Sequence, residues 1–204
     1  VVGMEALIRW LQPDNGMRLP NEFLPQVEHT DFIIELGEWV IVNALRQLQE
    51  WRRHDLEMPV SINIAARHLM QSNFAERLQT LLAAFQDVDP RLLQLEITET
   101  AVIEDISGVT QTMELCKKLG VSFALDDFGV GYSSLTYLRR LPIDVIKIDK
   151  LFFDSFATDG RVRLLLSDII SIAKHLHLQI VAEGVESGDE VEFLRQHGCD
   201  IAQG

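Results

Sequence analysis

Apolar and polar residues follow two different periods along this chain, and segments of the two kinds alternate. Period-two patterns and short apolar runs predict strands near residues 1–10, 58–66, 92–100, 121–127, 143–149, 178–186 and 199–204. Apolar residues at helical spacing predict helices between them, near residues 21–54 (two helices), 73–85, 107–119, 161–177 and 188–197. Strands and helices that alternate in this way favour an α/β fold of the (β/α)₈ barrel type. A barrel needs about eight strands to close, so one strand is expected to be missing.

The stretch Val121–Lys150 is predicted to form half of an active site. Its apolar run VSFAL ends in two adjacent carboxylates, Asp126 and Asp127, and glycines follow where the backbone can turn. A short helix (SSLTYLRRL) and a strand (IDVIKID) come next, and Lys147 and Asp149 share one face of that strand. The stretch is therefore expected to be a βαβ unit with parallel strands. The triplet DFG also occurs in protein kinases, but the sequence has no glycine-rich phosphate loop or HRD loop upstream.

Polar and charged residues fall near the C-terminal end of nearly every predicted strand. In a (β/α)₈ barrel these ends form the catalytic face. Charges buried there must be paired or bind metal, because an unpaired buried charge is costly. The residues concerned are Glu5, Asn63, Glu96, Asp126, Lys147, Asp149, Glu183 and Gln203. Glu99 has the opposite parity to Glu96 and is expected to form a structural salt bridge.

The first predicted strand leaves two interpretations open. Its apolar face (Val2, Met4, Ala6 and Ile8) would pack outward on helices if the strand lined a barrel, with Glu5 and Arg9 pointing inward. The other interpretation is an ordinary surface strand on which Glu5 and Arg9 pair.

Composition narrows the class of protein. The chain has 204 residues, 47% of them hydrophobic, so it can bury a sizeable core as one α/β domain. A net charge of −13 argues against binding to a nucleic-acid polymer. No apolar run is long enough to span a bilayer, and two cysteines are too few for a disulfide framework, which predicts buried thiols in a reducing cytosol.

Six motifs in order resemble the EAL-domain cyclic di-GMP phosphodiesterases: EALIRW, SINIAARHL, LEITET, DDFGVGYSS, LPIDVIKID and IVAEGVES. The resemblance runs from Val1 to Gly204 and implies a single EAL domain with a modified TIM-barrel fold that has one antiparallel strand. The family's N-terminal strand with a QPI motif has no counterpart here, and neither has the segment that normally follows QG. We therefore expect an excerpt truncated at both ends, without its first strand and its C-terminal end.

The resemblance implies two-metal hydrolysis of cyclic di-GMP to the linear dinucleotide pGpG. Glu5, Asn63, Glu96 and Asp126 would hold one Mg²⁺ or Mn²⁺, and Asp126 would bridge to a second ion held by Asp127 and Glu183. Calcium is expected to bind the same oxygen ligands and to inhibit, because Ca²⁺ prefers longer bonds and more ligands.

The same resemblance implies roles for the other site residues. Lys147 would hold the attacking water with Asp149 beside it, and Glu183 is either a metal ligand or the general base. Arg9 would clamp a phosphate and Leu7 would pack near a guanine. Gln203 would support the metal and water site, and Glu186 would anchor the DDFG loop.

Departures from the family pattern are Val130, usually Thr, and Ala65 and His68, often Ser and Gln; Val130 could alter the loop after DDFG.

Two rival functions remain: a cyclic di-GMP receptor without activity, and an unrelated barrel metalloenzyme such as an enolase-like one. The resemblance also implies a homodimer and attached GGDEF or sensory domains outside these residues. We expect a cytoplasmic domain and leave open whether the full-length protein is tethered to the inner membrane.

Overall fold

The structure is a computed structural model that describes residues 1–13, 16–129 and 138–204. The chain forms two compact units. Unit 1 comprises Val1–Ile97 and Asp105–Ser122, and unit 2 comprises Thr98–Glu104 and Phe123–Gly204. The prediction of a single domain over residues 1–204 stays a prediction.

Unit 1 contains three parallel strands, a hairpin and most of the long helices. The parallel strands are β1 (Met4–Ala6), β4 (Val60–Asn63) and β5 (Leu93–Thr98), with β4 paired to both others. The hairpin pairs β2 (Trp10–Gln12) with β3 (Gly16–Arg18), and a 3₁₀ turn spans Pro90–Leu92. The helices are α1 (Pro20–Val27), α2 (Phe32–Arg53), α3 (Ala66–Leu69), α4 (Phe74–Ala84) and α6 (Ile106–Lys118).

Unit 2 contains four parallel strands and four helices among its described residues. The strands are β6 (Ser122–Phe128), β7 (Val145–Ile148), β8 (Gln179–Glu183) and β9 (Ile201–Gln203), paired in that order. The helices are α5 (Glu99–Glu104), α7 (Leu151–Asp154), α8 (Gly160–His175) and α9 (Gly188–His197).

The seven predicted strands are therefore all present, and the helices expected between them match α1, α2, α4, α6, α8 and α9. The first strand was predicted too long: it ends at Ala6, and Trp10 begins the hairpin. Val2 and Met4 are exposed, and Met4, Ala6 and Ile8 line a groove against α2. The helix predicted in SSLTYLRRL and Val130 lie mostly or wholly outside the described residues.

The core of each unit follows from the alternation read in the sequence. In unit 1, the apolar face of α2 (Ile41, Ala44, Leu45 and Leu48) is buried, as is Ile62 of the adjacent strand β4. Burying one such Leu or Ile side chain contributes about 1.5–3 kcal/mol. In unit 2, one residue from each strand packs into a single layer, formed by Ala124, Val145, Val181 and Ile201.

Two aspartates fix the start of the unit 2 strands. The Asp144 carboxylate, just before β7, accepts a hydrogen bond from the Phe123 backbone N–H at 3.0 Å. The Asp200 carboxylate, just before β9, accepts one from the Ile180 N–H at 2.8 Å. An aspartate carboxylate therefore links β6 to β7 and another links β8 to β9 at the N-terminal ends of these strands. These links help to set the register that places polar residues side by side at the carboxyl ends.

No helix in the described ranges combines the length and the apolar character that a bilayer crossing requires. Cys116 is buried, as expected, and burial raises the pKa of its thiol to about 12; Cys199 is only partly buried.

Candidate active site

The carboxyl ends of the unit 2 strands bring the predicted residues Asp126, Lys147, Glu183 and Gln203 together. Lys147 of β7 lies beside Val181 of β8, two residues before Glu183, and Glu183 pairs in register with Gln203 of β9. Strands β7, β8 and β9 run parallel and pair in sequence, so their polar carboxyl ends lie at one edge of the sheet.

Lys147 is a buried cation held by two carboxylates. Its side chain is 3% exposed, and its Nζ lies 2.6 Å from Glu183 Oε1 and 3.6 Å from Asp126 Oδ1. A buried ammonium group is tolerated only when it is paired, and removal of its partners would leave an uncompensated charge. The ion pairs thus keep Lys147 fixed at the strand ends.

A β-bulge places Asp126 and Asp127 in the site. The pairing of β6 with β7 runs from Leu125–Ile146 directly to Phe128–Ile148, so β6 has one more residue than β7 over this interval. In a regular strand two adjacent side chains point to opposite faces, whereas a bulge re-aims them. Asp127 has a φ of 55°, which is unusual for a residue other than glycine, and its N–H donates to Asp126 Oδ1 at 3.0 Å.

The Asp127 carboxyl group lies among other carboxylates. The pKa of Asp127 is raised from 3.8 to about 6, first by partial desolvation and next by the charge of Asp126. A hydrogen bond with Asp149 and the charges of Asp149 and Glu183 raise it further. Asp149 itself accepts a hydrogen bond from the Leu151 N–H at 2.7 Å, which holds it at the start of α7. This corner of unit 2 therefore carries an excess of negative charge that a cation would relieve.

Glu99 has a role that the sequence did not reveal. It is buried at the start of α5, and its Oε2 accepts a hydrogen bond from the Gly129 N–H at 3.4 Å, within the DDFG segment. The expectation of a structural salt bridge rested on strand parity alone and missed this contact. The available signal was the spacing of Glu96 and Glu99, three residues apart, with the end of β5 at Thr98 between them.

Glu186, predicted to anchor the same segment, is exposed, and its backbone N–H donates to Glu190 Oε2 at 2.8 Å. That contact belongs to the start of α9, where Ser187 and Glu190 form a capping box. Much of the DDFG loop lies outside the described residues, so the loop-anchoring role of Glu186 stays a prediction.

Three predicted ligands meet at the strand ends of unit 1. Asn63 of β4 is opposite Glu96 of β5, which is 1% exposed, and Glu5 of β1 is opposite Ser61. The Asn63 amide Nδ2 donates to Glu5 Oε1 at 3.2 Å. The alternation read from VSIN therefore placed Asn63 correctly beside both carboxylates.

Leu7 and Arg9, predicted to bind substrate, are exposed after β1. Both line a groove of about 480 Å³ against α2, together with Met4, Trp39 and Trp51. The Arg9 guanidinium donates to the Ile8 carbonyl at 2.8 Å. Their role in binding stays a prediction.

The donor set in each unit is the kind that a hard divalent cation prefers, since it consists of carboxylate and amide oxygens. Within the part of the chain that the structure describes, no three His, Cys, Asp or Glu side chains are gathered closely enough to form a ready-made cation site. In unit 2 the Lys147 ammonium lies close to both Asp126 and Glu183. The chemistry of the donors fits Mg²⁺ or Mn²⁺, and a cation would add to the neutralisation that Lys147 provides.

The fold and these side chains define a class: an α/β protein with acidic, amide and lysine side chains at the ends of parallel strands. Comparison with known proteins is more specific, because the profile of the EAL domain family matches residues 1–204. This chain belongs to the EAL domain family.

Among its relatives, the cyclic di-GMP phosphodiesterase PA2567 of Pseudomonas aeruginosa is 38% identical over 202 residues, which cover 99% of this chain and 34% of that protein. The bifunctional diguanylate cyclase/cyclic di-GMP phosphodiesterase MucR of the same species is 36% identical over 205 residues, covering 100% of this chain and 30% of MucR. The chain thus spans about a third of the length of these curated relatives.

The solved structure of the MucR phosphodiesterase in complex with c-di-GMP superposes with a TM-score of 0.93 at 36% identity, covering 100% of this chain and 82% of that one. The FimX EAL domain superposes with a TM-score of 0.91 at 23% identity, covering 98% and 80% of the two chains, which supports the fold alone. The expected TIM-barrel-like α/β fold is confirmed.

Proposed function

We propose that this domain hydrolyses cyclic di-GMP to linear pGpG with the help of Mg²⁺ or Mn²⁺. The observation that carries the proposal is the buried Lys147, ion-paired to Glu183 and Asp126 beside a carboxyl group whose pKa is raised. Strongly perturbed titratable groups of this kind concentrate at functional sites. The names of the relatives supply the substrate: two that align with nearly the whole chain are called cyclic di-GMP phosphodiesterases.

The proposed ligands are Glu5, Asn63 and Glu96 in unit 1, and Asp126, Asp127 and Glu183 in unit 2. When bound, divalent cations polarise a phosphate and lower the pKa of a bound water. Their positive charge would also make a strongly acidic site attractive to an anionic dinucleotide.

Side chains of this protein would orient the water, accept its proton and offset the developing charge. Lys147 would orient the attacking water and offset the negative charge that develops on the phosphate, since its ammonium is fixed by two ion pairs. Glu183, ion-paired with Lys147 at 2.6 Å, would act either as a ligand or as the base that takes the water proton. Asp149 would help to hold Asp127.

For substrate positioning, we propose that Arg9 binds a phosphate and that Leu7 packs on a guanine. Gln203, in register with Glu183, would support the metal and water site. Glu186 would restrain the DDFG loop.

The direct test is an assay of pGpG release from cyclic di-GMP by chromatography, with Mg²⁺ or Mn²⁺ and with EDTA. We expect hydrolysis that depends on the added metal. Lys147→Met should abolish it, whereas Lys150→Met, which removes an exposed lysine three residues along, should leave it intact. Cyclic di-GMP binding without pGpG release would refute hydrolysis and support a receptor, the second candidate function.

We also propose that the full-length protein is a homodimer and carries GGDEF or sensory domains, in line with relatives that are about three times longer than this chain. Size-exclusion chromatography with light scattering tests the dimer, and a monomeric mass at micromolar concentration would refute it. A cytoplasmic location with a tether to the inner membrane stays a proposal.

A further inference from the structure

Helix α3 is a four-residue helix that follows β4 directly, and it is too short to be stable by itself. Its position must therefore come from tertiary contacts. Arg67 forms an ion pair with Asp31 at 2.7 Å, but both side chains are largely exposed and such a pair contributes little. The buried contacts come from His68, which is 2% exposed, and from Leu69.

The His68 imidazole fits tightly between two helices. On the α2 side, it lies against the backbone at Gly37, where any Cβ would clash with His68 Nδ1. On the α4 side, the Phe74 ring meets it edge-on, with centroids 4.8 Å apart and planes at 81°. Packing of this density leaves no room for the ring to move without displacing α3.

The buried Nδ1 atom of His68 has no hydrogen-bond partner among the described residues. An unprotonated ring nitrogen tolerates this better than an N–H, and much better than a cationic one, because a buried charge without a partner is expensive. The packed site thus accepts the neutral imidazole and opposes the imidazolium.

Charged groups around His68 do not remove this opposition. Glu38 of α2 is near enough to favour the protonated ring, but both of its carboxylate oxygens accept hydrogen bonds from Arg77 of α4, each at 2.7 Å. On α3 itself, Arg67 is held by Asp31. Burial lowers the pKa of His68 and outweighs the attraction of Glu38.

We propose that His68 is a pH-sensitive latch, in which the neutral imidazole locks α3 between α2 and α4 and protonation releases α3. The release would reach β4, because the Ala65 carbonyl accepts hydrogen bonds from the His68 and Leu69 N–H groups at 3.0 and 3.1 Å. Ala65 lies two residues after Asn63, at the strand end that holds the proposed ligands of unit 1. The latch itself does not depend on the proposed hydrolysis.

The sign of the effect follows from linkage. The pKa of His68 is lower in the folded protein than in the unfolded chain, so the unfolded chain binds more protons between the two values. The contribution of His68 is fully present above its unfolded pKa of about 6.5 and is lost as the pH falls toward the folded pKa.

The test compares the wild-type chain of 204 residues with His68→Gln, which keeps a polar side chain of similar size and cannot titrate. We expect the Tm of the wild type to fall more than that of the variant when the pH drops from 7.5 to 5.5. The extra fall should be about 3–5 °C for each pKa unit by which the folded value of His68 lies below the unfolded value. Backbone amides of residues 65–70 should exchange about tenfold faster in the wild type at the lower pH, after correction for intrinsic exchange, and should not do so in His68→Gln. His29→Gln, which replaces an exposed histidine, is the matched control and should follow the wild type.

Parallel Tm curves for the wild type and His68→Gln would overturn the proposal, as would unchanged exchange in residues 65–70. Gly37→Ala is an independent variant that crowds His68 without changing its chemistry. It should loosen the same amides already at pH 7.5, and full protection there would refute the packing argument. If His68→Gln does not fold, NMR titration of the His68 ring in the wild type decides: an ordinary pKa near 6.5 refutes the latch.

Discussion

Replacement of Asp127 by asparagine gives a sharp test of the charge crowding in unit 2. In the folded protein the Asp127 carboxyl group has a pKa of about 6, against an ordinary value of 3.8. Between these values the folded state binds more protons than the unfolded state, so stability falls as the pH rises through this window. Below pH 3.8 both states are protonated and the penalty is absent, and above pH 6 it is fully present.

The magnitude follows from the size of the shift. About two pKa units correspond to roughly 3 kcal/mol if the group were fully shielded. Asp127 is exposed at one side, so solvent screening reduces this to about 1 kcal/mol. For a chain of this length the equivalent change is about 2–4 °C in Tm.

The assay is thermal unfolding in EDTA at several pH values between 4 and 7.5, for wild type and Asp127→Asn. The variant removes the charge, so its Tm should equal that of the wild type at pH 4 and exceed it by about 2–4 °C at pH 7.5. Asp168→Asn, at an exposed position on α8, should show no such trend. A Tm difference that stays constant or shrinks as the pH rises would refute the crowding of negative charge around Asp127.

Three further outcomes are expected. Glu5→Gln and Asp126→Asn should each reduce pGpG release by about 10²-fold or more, because each removes a charge that would stabilise bound cations, and near wild-type turnover in Mg²⁺ would contradict the ligand assignment. Calcium titrated against fixed Mg²⁺ should inhibit while substrate still binds, because its longer bonds misplace the reacting atoms, and full activity in Ca²⁺ alone would rule out the two-metal site. Gly129→Ala should destabilise by about 1–3 kcal/mol in denaturant unfolding, because φ is 96° and a Cβ would lie 2.5 Å from the Phe152 ring, whereas Gly188→Ala meets no neighbour and should be close to neutral.

The regular parts of the fold could be predicted from the sequence because they repeat. Alternation in VSINI buries Val60, Ile62 and Ile64 and turns Asn63 to the other face, as observed. The short helix α7 was not predicted, since four residues carry no helical period. The hairpin β2–β3 was missed because the apolar alternation of residues 1–10 continues across the break after Ala6.

The site could be predicted only in part, because its special features break the same regularity. A strict period of two would send Asp126 and Asp127 to opposite faces, and only the bulge in β6 changes this. The contact of Glu99 with Gly129 likewise depends on where β5 ends and α5 begins, which periodicity does not specify. Residues on regular strands, such as Asn63 and Glu183, were placed by their period, whereas residues at irregular positions required the structure.

The irregular backbone at Asp127 and the charge crowding there have a common consequence. The carboxylates of Asp126, Asp149 and Glu183 all act on Asp127, and Lys147 is ion-paired with Asp126 and Glu183. Without a further cation, the least costly response is for Asp127 to keep a proton up to about pH 6, and this is the raised pKa. A divalent cation bound at the proposed site would therefore compete with that proton for the same oxygen atoms. Below pH 6, cation binding should release a proton and weaken with acidity, whereas at pH 7.5 the carboxylate is already free to bind. The left-handed backbone at Asp127 holds the carboxylate beside its neighbours at the cost of strain that the surrounding packing must offset.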